Sequence, residues 1–200
     1  ITTRYISKRY DEMPSYDADA KAAALKEWTD AGFPPLNAVV HDSWTPNLLS
    51  NFLKKEMAVI GNAYAHVTPL QMEAIFCAVS AANSCELCLT FHAMGMEKHG
   101  ASKEDIDAIV LQGQPTSKDI LGHVYCAKLA LSHKGVLLER EKEYLLKEFG
   151  LGPEHVCEII YLVGQISANN LLMVHMIANE VPVDDILTGY SPFSKTAYGK

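Results

Sequence analysis

The dipeptide Thr-Pro stands twice in this chain, at 45–46 and 68–69, each time ahead of a run suited to a helix. A threonine at the N-cap accepts one of the orphan N–H groups of the first turn. A proline directly after it sacrifices no helical hydrogen bond. The second start is the more specific, because Gln71 stands three residues after Thr68 and completes a capping box. Behind it Met72, Ile75, Phe76 and Val79 recur at i, i+3, i+4 and i+7, which marks a buried stripe. No segment shows a sustained period-two alternation, so nothing in the chain asks for a strand. The fold class read from this pattern is all-α.

The remaining punctuation divides the chain into further helices. Residues 18–31 are rich in Ala, Lys, Glu and Leu and stop at Gly32 before Pro34 and Pro35. The helix opened by Pro46 runs to about Ile60. Asn83 and Glu86 have the spacing of another capping box, which predicts a helix starting at Ser84 or Cys85 and running to His99, with Gly100 as its stop. Ser102 opens a short helix to about Leu111, and others are expected at 117–133, 139–149 and 153–179. The tail from Pro182 to Lys200 reads as less regular. The chain is taken as a single domain over 1–200, with 1–40 as an N-terminal extension carrying Tyr5, Tyr10 and Tyr16, and 46–187 as the core. "SAANS" at 80–84 resembles "SANN" at 167–170, and "EDI" at 104–106 resembles "DDI" at 184–186, the pattern of an old duplication of a two-helix unit.

Bulk properties narrow the function. The 200 residues are 48% hydrophobic, enough for one sizeable core. A formal charge of −7 without a basic run gives no electrostatic footprint for nucleic acid or an anionic membrane. Gly164, Gln165 and His175 break the longest apolar runs, so no membrane span is expected. "ITTRYISKRY" has no charged-then-apolar leader. Five cysteines at irregular spacing are unlike a secreted disulfide framework, and a reducing, cytoplasmic setting is expected.

The chemistry concentrates in "SCELCLTFH", residues 84–92. On one helix Cys85, Cys88 and His92 fall at i, i+3 and i+7 and share a stripe, while Leu87, Phe91 and Met94 form a second stripe expected to face the core. A cysteine in a first turn meets unpaired N–H groups and the positive end of the helix dipole, which favour the reactive thiolate. Helical neighbours three apart stand roughly 5–6 Å from Cβ to Cβ, against about 3.8 Å in a disulfide. Closing the pair is therefore expected to distort the first turn. Glu73 lies on the preceding helix beside the Met72 stripe, where a carboxylate requires a partner. If the chain folds back at Asn83-Ser84, Glu73 faces the Cys/His stripe and can orient His92 or shuttle a proton. Cys77, Cys126 and Cys157 read as small buried hydrophobes. Asn169, Asn170 and His175 suit helix–helix or subunit contacts, His99 suits a helix C-terminus, and His66, His123, His133 and His155 read as surface or capping residues.

Glu73, eleven residues, Cys85-x-x-Cys88, three residues and His92 reproduce E-x11-C-x-x-C-x3-H. The chain thereby resembles the AhpD-like alkylhydroperoxidases of the carboxymuconolactone decarboxylase superfamily. The similarity is good over 46–111 and looser to about 187. The resemblance implies an all-helical AhpD-like domain assembled as an obligate homo-oligomer, a trimer or hexamer. It also implies a thiol-dependent hydroperoxide reductase with an antioxidant role. By position Cys88 is then peroxidatic, Cys85 resolving, and His92 and Glu73 form a proton relay. The implied partners are a hydroperoxide and a thiol or dihydrolipoamide-type donor, with no cofactor or metal needed. Leu87 departs from the best-known members, which carry a second histidine there. Two other readings stay open. One is a non-redox helical assembly protein with zinc on Cys85, Cys88 and His92, with Glu73 or His99 as fourth ligand. The other is a superfamily enzyme acting on a small organic acid.

Overall fold

The computed structural model describes residues 18–30, 46–61 and 64–178 of the chain. The described residues hold eight helices and no strand, so the protein is all-α. They fall into two compact units that divide after Gly61, inside the 46–187 core expected from sequence. In the first, α1 (Ala18–Asp30) packs on α2 (Pro46–Gly61). Leu49, Leu53 and Glu56 of α2 are buried at i, i+4 and i+7, as its helical period requires. Thr45, Gly32, the three arm tyrosines, the 182–200 tail and the "DDI" at 184–186 lie outside the described residues.

The second unit is built around α3 (Pro69–Ala82). Thr68 Oγ1 accepts from Gln71 N–H, and Gln71 Oε1 accepts from Thr68 N–H, so the predicted capping box is formed. Every residue from Met72 to Ala81 is buried. The expected stripe of Met72, Ile75, Phe76 and Val79 is thus only one side of a helix surrounded by others. Its neighbours are α4 (Glu86–Lys98), α5 (Lys103–Val110), α6 (Lys118–Ser132) and α8 (Pro153–Ala178). Small side chains at Ala74, Cys77, Ala78 and Ser80 let these helices approach closely. Ala74, Cys77 and Ala78 pack with Ala93, Met96, Ile106, Ile109, Ile120 and Val124 in the core cluster. Helix α7 (Glu139–Phe149) ends on Gly150, left-handed at φ 69°, and packs on α6.

Helix α8 continues without a break through Gly164 and Gln165, because a glycine in mid-helix costs only about 1 kcal/mol against alanine. By length and composition alone it is apolar enough to cross a membrane. Its buried residues Val156, Ile159, Val163, Ile166, Asn170 and Met173 follow the helical period and mark the side it turns inward. Cys157 falls beside that stripe and is exposed, which corrects its reading as a buried hydrophobe. The second copy of the internal echo, Ser167 to Asn170, lies inside α8 with no break after it, so it does not repeat the two-helix unit at 80–84.

Candidate functional site

The site begins at the way α3 ends. Ser84 stands in the left-handed region at φ 56°. Its N–H donates to Ala81 O at 3.2 Å, and the N–H of Cys85 reaches back to Ser80 O at 3.0 Å. These two bonds make a Schellman turn with serine where glycine is usual. The residue that closes this turn, Cys85, also caps α4: its carbonyl accepts the first ladder bond, from Leu89 N–H at 2.8 Å. One residue therefore ends one helix and starts the next, which reverses the chain within two residues and lays α4 along α3.

This corrects two expectations. Cys85 is the N-cap rather than a first-turn helical residue, and the Asn83–Glu86 capping box is not formed. Asn83 is spent as the C-cap of α3, and its side-chain amide donates instead to Asn170 Oδ1 at 2.9 Å. Asn170 Nδ2 in turn donates to Ser80 Oγ at 3.0 Å. The two halves of the internal echo thus meet across the α3–α8 contact, and the turn that places Cys85 is tied to α8 by two buried or half-buried hydrogen bonds. Sequence reading placed Asn170 in a helix–helix or subunit contact, and the structure shows the first. Its signal is an amide with no charged neighbour in the apolar run "ANNLLMV".

Cys85 and Cys88 are joined as a disulfide with their Cα atoms 5.4 Å apart. The expected distortion of the first turn does not arise, because Cys85 lies outside the helix and the Leu89–Cys85 ladder bond is intact. No side chain caps the N-terminus of α4, so its first-turn N–H groups have no side-chain acceptor. Both cysteines are buried, Cys85 fully and Cys88 to 6% exposure.

His92 lies one turn beyond Cys88 on the same face, and it is this face that turns inward: Cys88, His92 and Met96 are buried at i, i+4 and i+8. Of the stripe expected to bury α4, Leu87 is buried while Phe91 and Met94 are only half-buried. The predicted fold-back also brings Glu73 to His92. The Nδ1–H of His92 donates to Glu73 Oε2 at 2.8 Å, and both side chains are buried. A carboxylate on Nδ1 fixes the ring's orientation and tautomer and leaves Nε2 as the nitrogen for further exchange. Phe76 and Phe91 meet the imidazole edge-on, with ring centroids at 4.9 Å and 5.5 Å, and hold it in an apolar slot.

The remaining thiols differ. Burial, reinforced by the negative charge of Glu73 one turn away, pushes the Cys77 thiol up to about 12. Burial alone takes Cys126 to about 12. Neither forms a thiolate at neutral pH. Among the described residues no group of three or more His, Cys, Asp and Glu side chains is arranged to hold a metal ion. Of the candidate zinc donors other than the cysteines, Glu73 bonds His92 and His99 is exposed past the end of α4.

Residues 46–129 match the model of the carboxymuconolactone decarboxylase family. The match starts where the sequence resemblance starts, runs past 111 into α6, and contains Glu73, Cys85, Cys88 and His92. Comparison with curated proteins gave no match.

Proposed function

With residues 46–129 belonging to the carboxymuconolactone decarboxylase family, we propose that this chain is a thiol-dependent hydroperoxide reductase of the AhpD-like kind. The observation that carries the reading is a CxxC disulfide set one helical turn from a buried Glu–His pair. A structural staple or a packing histidine has no need of that neighbour, whereas a dithiol cycle that must move protons inside an apolar site does.

In the reduced protein the Cys88 thiolate attacks one oxygen of a hydroperoxide ROOH. The O–O bond breaks, the sulfur becomes Cys88–SOH, and the departing RO⁻ takes a proton from His92 to leave as alcohol. Glu73 holds the imidazole in place through its Nδ1. Cys85 then attacks the Cys88 sulfur as a thiolate, and the hydroxyl leaves as water with a proton returned through His92. One ROOH and two thiols give ROH, H2O and the disulfide. A thiol or dihydrolipoamide-type dithiol restores the pair by exchange. The uncapped N–H groups of α4 favour thiolate at Cys85, both as the attacking group in closure and as the leaving group in reduction. Assembly into a trimer or hexamer is part of the same proposal.

The test is two single substitutions in the full-length reduced protein. Cys88→Ser is expected to reduce peroxide consumption to the uncatalysed rate. Cys85→Ser is expected to complete one attack and stop as a sulfenic acid that a dimedone-type reagent traps at Cys88. Parental turnover by both variants would overturn the proposal.

A further inference from the structure

Gly95 stands in the last turn of α4, three residues after His92, and glycine is a poorer helix former than any residue except proline. Its φ is not in the left-handed region, so no backbone requirement explains it. What lies against it is Glu73. A methyl group built on Gly95 would sit 2.4 Å from Glu73 Cδ, 2.6 Å from Oε2 and 2.8 Å from Oε1. All three distances are far inside van der Waals contact. The carboxylate is the end of a flexible side chain, but it is buried and already committed to His92 at 2.8 Å. A methyl group there presses on the same carboxylate that holds His92.

We infer that Gly95 is the positioning residue of the Glu73–His92 pair: its bare Cα opens the flank of α4 through which the Glu73 carboxylate reaches the imidazole. Helix propensity alone favours alanine here, so the glycine trades local helix stability for approach of the carboxylate. The geometric part of the inference stands by itself. Its consequence for catalysis rests on the reductase reading above.

The experiment compares the parent, Gly95→Ala, Glu73→Gln and the double variant as full chains. The first readout is the 15N signal of His92 Nδ1 in the oxidised protein, which needs no enzymatic activity. Gly95→Ala is expected to move that signal in the direction and to the extent that Glu73→Gln does, with the double variant moving no further. The second readout is the pH profile of Cys88 oxidation by an organic hydroperoxide. Gly95→Ala is expected to slow it by roughly tenfold or more, as loss of a proton-transfer partner does. An unchanged His92 signal in Gly95→Ala would overturn the inference. A parent that consumes no peroxide while Gly95→Ala moves the His92 signal would overturn the reductase reading alone. If Gly95→Ala does not fold, Glu73→Ala with and without Gly95→Ala decides. The methyl group is expected to leave the unfolding midpoint unchanged or raise it once the carboxylate is gone. An equal loss of folding in that background would overturn the inference.

Discussion

Among the described residues, two helices bury a histidine and a cysteine one turn apart, and their surroundings differ. On α4, His92 follows Cys88 by four residues; on α6, Cys126 follows His123 by three. All four side chains are buried. The α4 pair has a carboxylate on the imidazole and a cysteine at an open helix N-terminus. The α6 pair has neither. His123 Nε2 is buried without a hydrogen bond, and burial, aided by His155 nearby, pushes the His123 imidazole down to about 4. Cys126 is held as a thiol. Burial and spacing alone therefore produce an inert pair. The partner brought by the neighbouring helix, and the position along the helix, turn the same residue types into a candidate relay.

The comparison breaks most visibly if the two histidines are exchanged for a residue that cannot carry a proton. His92→Gln is expected to slow Cys88 oxidation by about 10² to 10⁴, the usual span for loss of a general acid–base group. His123→Gln should leave that rate within about twofold, as expected for a residue outside the Glu73–His92–Cys88 cluster. Stopped-flow measurement of peroxide consumption checks both. A His123→Gln variant as slow as His92→Gln would erase the distinction.

A smaller effect separates the histidines by stability. The folded protein holds His123 near 4, against an ordinary value of 6.5. Between those values the unfolded chain binds a proton that the folded chain refuses. The contribution of the neutral, buried form is therefore complete above about pH 6.5 and is lost as pH falls toward 4. The whole swing is on the order of 3 kcal/mol at most. Urea unfolding at pH 7 and pH 4.5 should show the loss in the parent and a clearly smaller loss in His123→Gln.

The smallest expected change belongs to the inert thiol. Cys126→Ala removes one buried sulfur from a packed helix face and should cost about 1 kcal/mol, read as a lower unfolding midpoint. Peroxide consumption should not move. A loss of activity without loss of stability would mean that the α6 region takes part in the reaction.

How much of this was legible in the sequence depends on the range over which each feature is determined. The start of α3 is written in four adjacent residues, and its capping box forms as read. The pairing of Glu73 with His92 was legible as the consequence of a fold-back at the helix break between them, and the structure has that fold-back. The end of α3 was not, since Ser84 in a left-handed turn has no propensity signal and Asn83 could serve either helix. The burial of the Cys/His stripe was not legible either, because both faces of α4 carry apolar residues and the packing of α3 against it decides between them. The ring contact of His66 with His155, at 4.7 Å between centroids, joins residues 89 positions apart and leaves no local trace. Gly95 was visible as a glycine within a helix, but only the Glu73 side chain explains it.

The most direct test of the central claim is a thiol count by alkylation and mass spectrometry on fully reduced protein, before and after one equivalent of an organic hydroperoxide. The chain has five cysteines. The account predicts rapid loss of two thiols, mapped to Cys85 and Cys88 as one disulfide that dihydrolipoamide reopens, with Cys77, Cys126 and Cys157 still alkylated after peroxide. Five thiols remaining after peroxide would contradict it.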